Sequence, residues 1–155
     1  MADSRRQGGF LAVNIANQNQ IPGWLSSTKP DIVMMHLGTN DVWSNRSPQE
    51  ITTAFSKLVD QMRASKPTMK ILAAKIIPMN PSNCAECGSR VVALNNAIQT
   101  WAASKTTANS PIAVVDAWTG FDTTSMTGDG VHPNDAGNKK LAETWFQPLA
   151  NAIRG

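Results

Sequence analysis

The chain reads as an α/β protein in which a parallel sheet lies between two layers of helices. Short apolar runs bounded by turn residues alternate with longer segments whose apolar residues recur at helical spacing, strand then helix, three times over. The runs are nearly continuous, as strands buried on both faces of a parallel sheet are. Right-handed crossovers then give a three-layer α/β/α arrangement, flavodoxin-like, with about three strands.

The first strand is Asp31 to Leu37, after Lys29-Pro30, and it ends in the turn Gly38-Thr39-Asn40-Asp41, which is expected to begin a loop. Ser47-Pro48-Gln49-Glu50 is a helix start: Ser47 as N-cap, Pro48 at the first helical position, Glu50 closing a capping box. Ile51, Ala54, Phe55, Leu58, Val59 and Met62 form the apolar stripe of that helix, and Lys66-Pro67 closes it. Lys70 to Ile77 is the second strand, stopped by Pro78. Val91, Leu94, Ile98 and Trp101 mark the next helix, and Ile112 to Val115 the third strand. The last helix is capped by Asn134 and carries Leu141, Trp145, Leu149 and Ile153 on one face, with Pro148 expected to kink or restart it. No repeat or linker divides the chain, so residues 1–155 are read as a single domain.

Composition narrows the classes of function. With 155 residues, 41% hydrophobic and 16% charged, the chain has the make-up of a globular protein. No apolar run approaches the roughly 20 residues that span a bilayer. The net charge of +3 comes from scattered Lys and Arg, which argues against a nucleic-acid surface. Met1 to Gly9 lacks the apolar core of a secretory signal. The two cysteines, Cys84 and Cys87, stand in a Cys-x-x-Cys between Pro81 and Gly88. A local disulfide is the leading reading, against a reduced pair and a redox or metal role, because no further ligands stand at zinc spacing. A disulfide points to an oxidising compartment.

In a parallel sheet, chemistry gathers beyond the carboxyl ends of the strands. Gly38 to Asp41 follows one strand directly, and Asp129-Gly-Val-His132 lies in the long loop after another, so both face the same sheet edge. His132 is the natural base there, and Asp129 can orient it by accepting from Nδ1–H. Asn40 can serve an oxyanion or simply shape a turn. His36, inside the strand, is expected to be a hydrogen-bonded core histidine. Trp43 and Trp118 fall in loops at the edge of the site, where they can stack on a sugar ring or act as packing.

The blocks His-Leu-Gly-Thr-Asn-Asp (36–41) and Asp-Gly-Val-His-Pro-Asn-Asp-Ala-Gly (129–137) resemble blocks III and V of the SGNH, or GDSL-type, hydrolases. Gly8-Gly9-Phe10-Leu11-Ala12 with Ile21-Pro22-Gly23-Trp24-Leu25 is similar to block II of the branch that holds the family 3 carbohydrate esterases, as is Pro78-Met-Asn-Pro81 with the cysteine loop. The resemblance runs from about Gly8 to the C-terminus. It implies that the Gly9 backbone N–H and the Asn40 amide form an oxyanion hole, with His132 as base and Asp129 as its orienter. It also implies an esterase that removes acetyl groups from polysaccharides such as xylan, a small ester or acetylated polysaccharide as partner, a secreted setting, and no cofactor or metal.

The block that carries the nucleophile in that family lies several tens of residues before block II, whereas seven residues precede Gly8 here. Ala2-Asp3-Ser4 imitates Gly-Asp-Ser, but no strand precedes Ser4 to hold it. The expectation is an N-terminally truncated domain whose first strand is left as a bare edge, open to self-association. The alternative to an esterase is accordingly a catalytically inactive remnant that binds carbohydrate or pairs with another chain.

Overall fold

The computed structural model describes residues 9–155. Ten elements follow in order: α1 (Ala12–Asn17), α2 (Ile21–Thr28), β1 (Ile32–Met35), α3 (Thr39–Trp43), α4 (Pro48–Ser65), β2 (Lys70–Lys75), α5 (Cys87–Lys105), β3 (Ile112–Asp116), α6 (Thr123–Met126) and α7 (Asp135–Arg154). The three strands form one sheet in the order β1-β2-β3. Both pairings are parallel, with Val33 beside Ile71 and Ala73 beside Val114.

Alternation along β2 explains its continuous apolar sequence. Ile71 and Ala73 join one core with Ile15, Leu25, Phe55, Leu58, Leu94 and Ile98, contributed by α1, α2, α4 and α5. Leu72 and Ala74 point the other way, to a smaller core with Val115, Phe121 and Trp145, the last from α7. Successive strand side chains face opposite layers, so a strand covered on both sides needs apolar residues at every position. Phe55 and Trp101 meet edge-on in the larger core, ring centroids 5.4 Å apart.

The helix signals act as read. Ser47 accepts from the Glu50 N–H while the Glu50 carboxylate accepts from the Ser47 N–H, a complete capping box. Asn134 accepts from the Gly137 N–H at the start of α7.

Several details differ from the sequence reading: β1 and β2 end at Met35 and Lys75, short of the Leu37 and Ile77 expected, and the short helix α6 stands in the segment expected to be loop. Gly38 to Asp41 opens a short helix, α3, and no loop, because Gly38 adopts φ +117° and turns the chain into helix directly behind the strand. Of the two outcomes expected at Pro148, the restart does not occur: helix α7 runs through it to Arg154. The bond lost there frees the Thr144 carbonyl on a half-buried flank, where the helix lies on the surface. Helices α1 and α2 were not foreseen as elements; neither N-cap makes a side-chain cap bond, and Pro22 in the first turn of α2 is the one start signal they carry.

Among the described strands β1 and β3 form the two edges of the sheet, and Met34 on β1 is 46% exposed. Along this edge runs an apolar groove of about 500 Å³, lined by Phe10, Trp24, Leu25, Val33, Met35 and His36 among others. None of the described helices is long and apolar enough to cross a membrane.

Candidate active site

The loop from α6 to α7 presents the C-terminal half of the site. Thr127 and Pro133 form an antiparallel bridge that pinches its base. Within it the Gly130 N–H donates to Thr127 Oγ1 (2.8 Å), and the Gly130 carbonyl accepts from the Asn80 N–H (2.9 Å). Gly130 has φ +80°, and a Cβ there would stand 2.2 Å from the Asn80 carbonyl oxygen, so glycine is required on both counts.

This turn aims Asp129 at His132. Asp129 Oδ1 accepts from the Val131 N–H (2.9 Å) and the His132 N–H (2.8 Å), and Oδ2 pairs with His132 Nδ1 at 2.6 Å. The bond from the His132 backbone, followed by its side chain and the Val131 N–H, lowers the Asp129 carboxyl from its ordinary 3.8 to about 2. An ionised carboxylate can only accept, so the proton of neutral His132 sits on Nδ1 and the lone pair on Nε2. The His132 side chain is 84% exposed, open to a reactant.

The other half comes from behind β1. Asn40, in the first turn of α3, donates through Nδ2 to the Phe10 carbonyl (3.2 Å). Gly9 adopts φ +82° next to it. A cleft of about 750 Å³ is lined by Gly9, Asn40, Trp43, Asp129 and His132, along with Thr39, Ser82 and Asn83. The four residues read as oxyanion donors, base and orienter thus share one cavity. Trp43 lies on its wall, 40% exposed, at the end of α3 and not in a loop. Trp118 does not line the cleft; it packs against the larger core, which corrects its expected place at the site edge.

The Cys84 and Cys87 sulfurs are bonded. Cys87 is fully buried as the first residue of α5, so the bond ties the Pro81-Ser82-Asn83 rim of the cleft to that helix. His36 corrects a second expectation. Its ring stands 6.4 Å from that of Trp145, and Nε2 is shut from solvent without a hydrogen-bond partner among the described residues. Burial pushes its pKa from 6.5 down to about 4, so the ring is neutral near pH 7. It lines both the cleft and the apolar groove.

Sequence reasoning missed Asp41. Its carboxylate is fully buried, with Oδ2 accepting from the Ala12 N–H (2.8 Å) and Oδ1 from the Val13 N–H (3.1 Å). The available signal was the charge itself: a carboxylate directly behind a buried strand needs donors, and α1 is a helix without a cap of its own. Ser4, the serine that imitates the family's nucleophile block in the sequence, lies outside the described residues. No group of residues able to hold a metal ion is found among the described residues.

A parallel α/β/α sheet, with Asn40 directly behind β1 and the Asp129–His132 pair in the same cleft, has the architecture of the SGNH hydrolase class. Residues 7–140 match the GDSL-like lipase/acylhydrolase family, and the chain belongs to it. A family 3 carbohydrate esterase from Talaromyces cellulolyticus is 36% identical, with a TM-score of 0.85 over 94% of this chain and 69% of that one. An acetyl esterase solved as a serine-to-alanine mutant with an acetate ion gives the same identity, TM-score and coverage. Among curated proteins, a multidomain esterase of Ruminococcus flavefaciens is 25% identical over 132 residues, 84% of this chain. The chain spans 17% of that esterase and 57% of a second curated relative, named putative endoglucanase X, from Acetivibrio thermocellus.

Proposed function

We propose that residues 1–155 act as one esterase domain that removes acyl groups, acetyl first, from carbohydrate esters such as acetylated xylan. The observation that carries this is the 2.6 Å bond between His132 Nδ1 and Asp129, made in the same cleft as Asn40 and Gly9. His132 Nε2 takes the proton of the attacking hydroxyl and returns it to the leaving sugar oxygen. The Asn40 amide has a second hydrogen beyond the one given to Phe10, and with the Gly9 N–H it receives the oxyanion. Small acyl groups fit the relatives' names, one an acetyl esterase with acetate bound. Trp43 on the cleft wall offers a face for a sugar ring. The Cys84–Cys87 bond favours an oxidising, extracytoplasmic setting.

The test is hydrolysis of p-nitrophenyl acetate and acetylated xylan by the wild-type protein, His132→Ala and Ser4→Ala. Turnover lost in His132→Ala supports the reading, and the Ser4→Ala result decides whether that serine is the nucleophile. Turnover indifferent to His132 sinks it.

A second reading, a non-catalytic domain that pairs with another copy, is favoured by one observation: the outer strand β1 beside an apolar groove, with Met34 exposed. Sedimentation of the wild-type protein against Met34→Lys separates the two readings, because only a strand-edge dimer dissociates on that change.

A further inference from the structure

Asn40 and Asp41 are neighbours in α3, and both reach across to the same piece of chain. Asn40 donates to the Phe10 carbonyl, while Asp41 accepts from the N–H groups of Ala12 and Val13. Three successive peptide groups, Phe10–Leu11, Leu11–Ala12 and Ala12–Val13, are therefore each gripped by one of two adjacent side chains. Gly9, on the cleft wall, is the residue immediately before this clamped stretch.

The clamp has a firm base. A Cβ on Gly38, which begins α3, would stand 2.7 Å from the Leu94 side chain, so α3 lies tight against α5. Val42 and Asp41 are 1% and 0% exposed. On the far side, Leu11 at the N-cap of α1 is extended and makes no side-chain cap bond. Asp41 thus caps α1 from 29 residues away.

Charge matters to this function. An ionised carboxylate accepts two N–H groups at once, with charge-assisted strength. An asparagine in the same place has one acceptor oxygen and turns an NH₂ toward the second N–H, which then stays buried without a partner.

We infer that Asp41 is a positioning residue of the site: by accepting the Ala12 and Val13 N–H groups it fixes the Gly9–Leu11 segment, and so holds the Gly9 N–H and the Asn40 amide at one spacing across the cleft. It does not touch substrate. The inference rests on the reading of Gly9 and Asn40 as oxyanion donors, but not on which hydroxyl attacks.

The experiment uses ¹⁵N-labelled full-length protein and sodium acetate as the probe, and needs no turnover. In the wild type, the Gly9 backbone amide and the Asn40 side-chain amide shift with acetate along one binding curve. The Ala12 and Val13 amides exchange with deuterium more slowly than the rest of α1. In Asp41→Asn the sheet and α5 amides keep their protection, while the acetate midpoint rises about tenfold, the scale of one lost charge-assisted bond. A double variant, Leu11→Ser with Asp41→Asn, gives α1 a cap of its own. It regains helix protection but not the joint response of Gly9 and Asn40, and it carries the test if Asp41→Asn alone does not fold.

Recovery of wild-type acetate binding in the double variant would reduce Asp41 to a helix cap and overturn the inference, leaving the oxyanion reading intact. So would fast exchange at Ala12 and Val13 in the wild type. Absence of any Gly9 or Asn40 response in the wild type overturns the oxyanion reading itself, and the inference with it.

Discussion

His132 meets its partner three residues away in the chain, whereas Asn40 meets Phe10 across 30 residues and Asp41 meets Ala12 across 29. The C-terminal half of the cleft is one turn whose bonds close within itself, braced from outside by Asn80. The β1 half is assembled from α1 and α3 on the core behind them, next to an outer strand and a histidine nitrogen with no described partner. Base and orienter therefore depend on a local conformation, while the oxyanion donors depend on long-range packing. The two halves should fail under different insults.

The largest effect expected is chemical. His132→Ala should lower kcat on p-nitrophenyl acetate by about 10² to 10⁴-fold, the usual contribution of a general base, with an unchanged thermal melt because the ring is exposed. A melt lowered with the rate would mean that this half is not self-contained.

Paired glycine substitutions sharpen the contrast in stability. Gly130→Ala drives a Cβ to 2.2 Å from a backbone oxygen that cannot move away, and should cost about 3 kcal/mol by urea denaturation. Gly38→Ala meets the end of the Leu94 side chain at 2.7 Å, which can rotate, and should cost about 2 kcal/mol despite its positive φ. The reverse order would show that the local turn is the softer half.

The pH dependence separates the halves in sequence. His36 is neutral in the fold because burial lowers its pKa to about 4, while the unfolded chain takes up its proton near 6.5. Its contribution is complete above pH 6.5 and is lost as pH falls toward 4, about 2 kcal/mol for a ring that keeps some surface at the cleft. Asp129, lowered from 3.8 to about 2, keeps its stabilising bonds until pH drops below 4 and loses them toward 2. Urea titrations at pH 7, 5 and 3 should therefore weaken the β1 half first. A flat profile between pH 6.5 and 4 in the wild type, matched by His36→Phe, would remove His36 from this account.

The smallest effect is a control distant from the cleft. Ser47→Ala removes the capping box of α4 and should cost about 1 kcal/mol, with no change in KM.

Ser47, Asn134 and the apolar stripes could be read from the sequence because caps and helical faces are relations over three or four residues. Asp129 and His132 were legible for the same reason. Asn40 could be placed behind a strand with two roles open, and Gly9 could be named only through the resemblance of whole blocks, since nothing local distinguishes an oxyanion donor from a turn residue. Trp118, His36 and Asp41 were misplaced or missed because their roles depend on which element packs above them.

By itself, then, the sequence determined the three strands with the long helix after each, the capped helix starts and the aspartate–histidine turn, all set by interactions short enough along the chain to be encoded in spacing. The tertiary structure alone decided that Asn40 and Gly9 share a cleft with His132, that Asp41 is spent on the N–H groups of α1, that Trp43 and not Trp118 lines the wall, and that His36 Nε2 is shut from solvent without a partner among the described residues. Each of these needs segments far apart in the chain to be brought together, at a cost in chain entropy that only the packed cores on the two faces of the sheet offset.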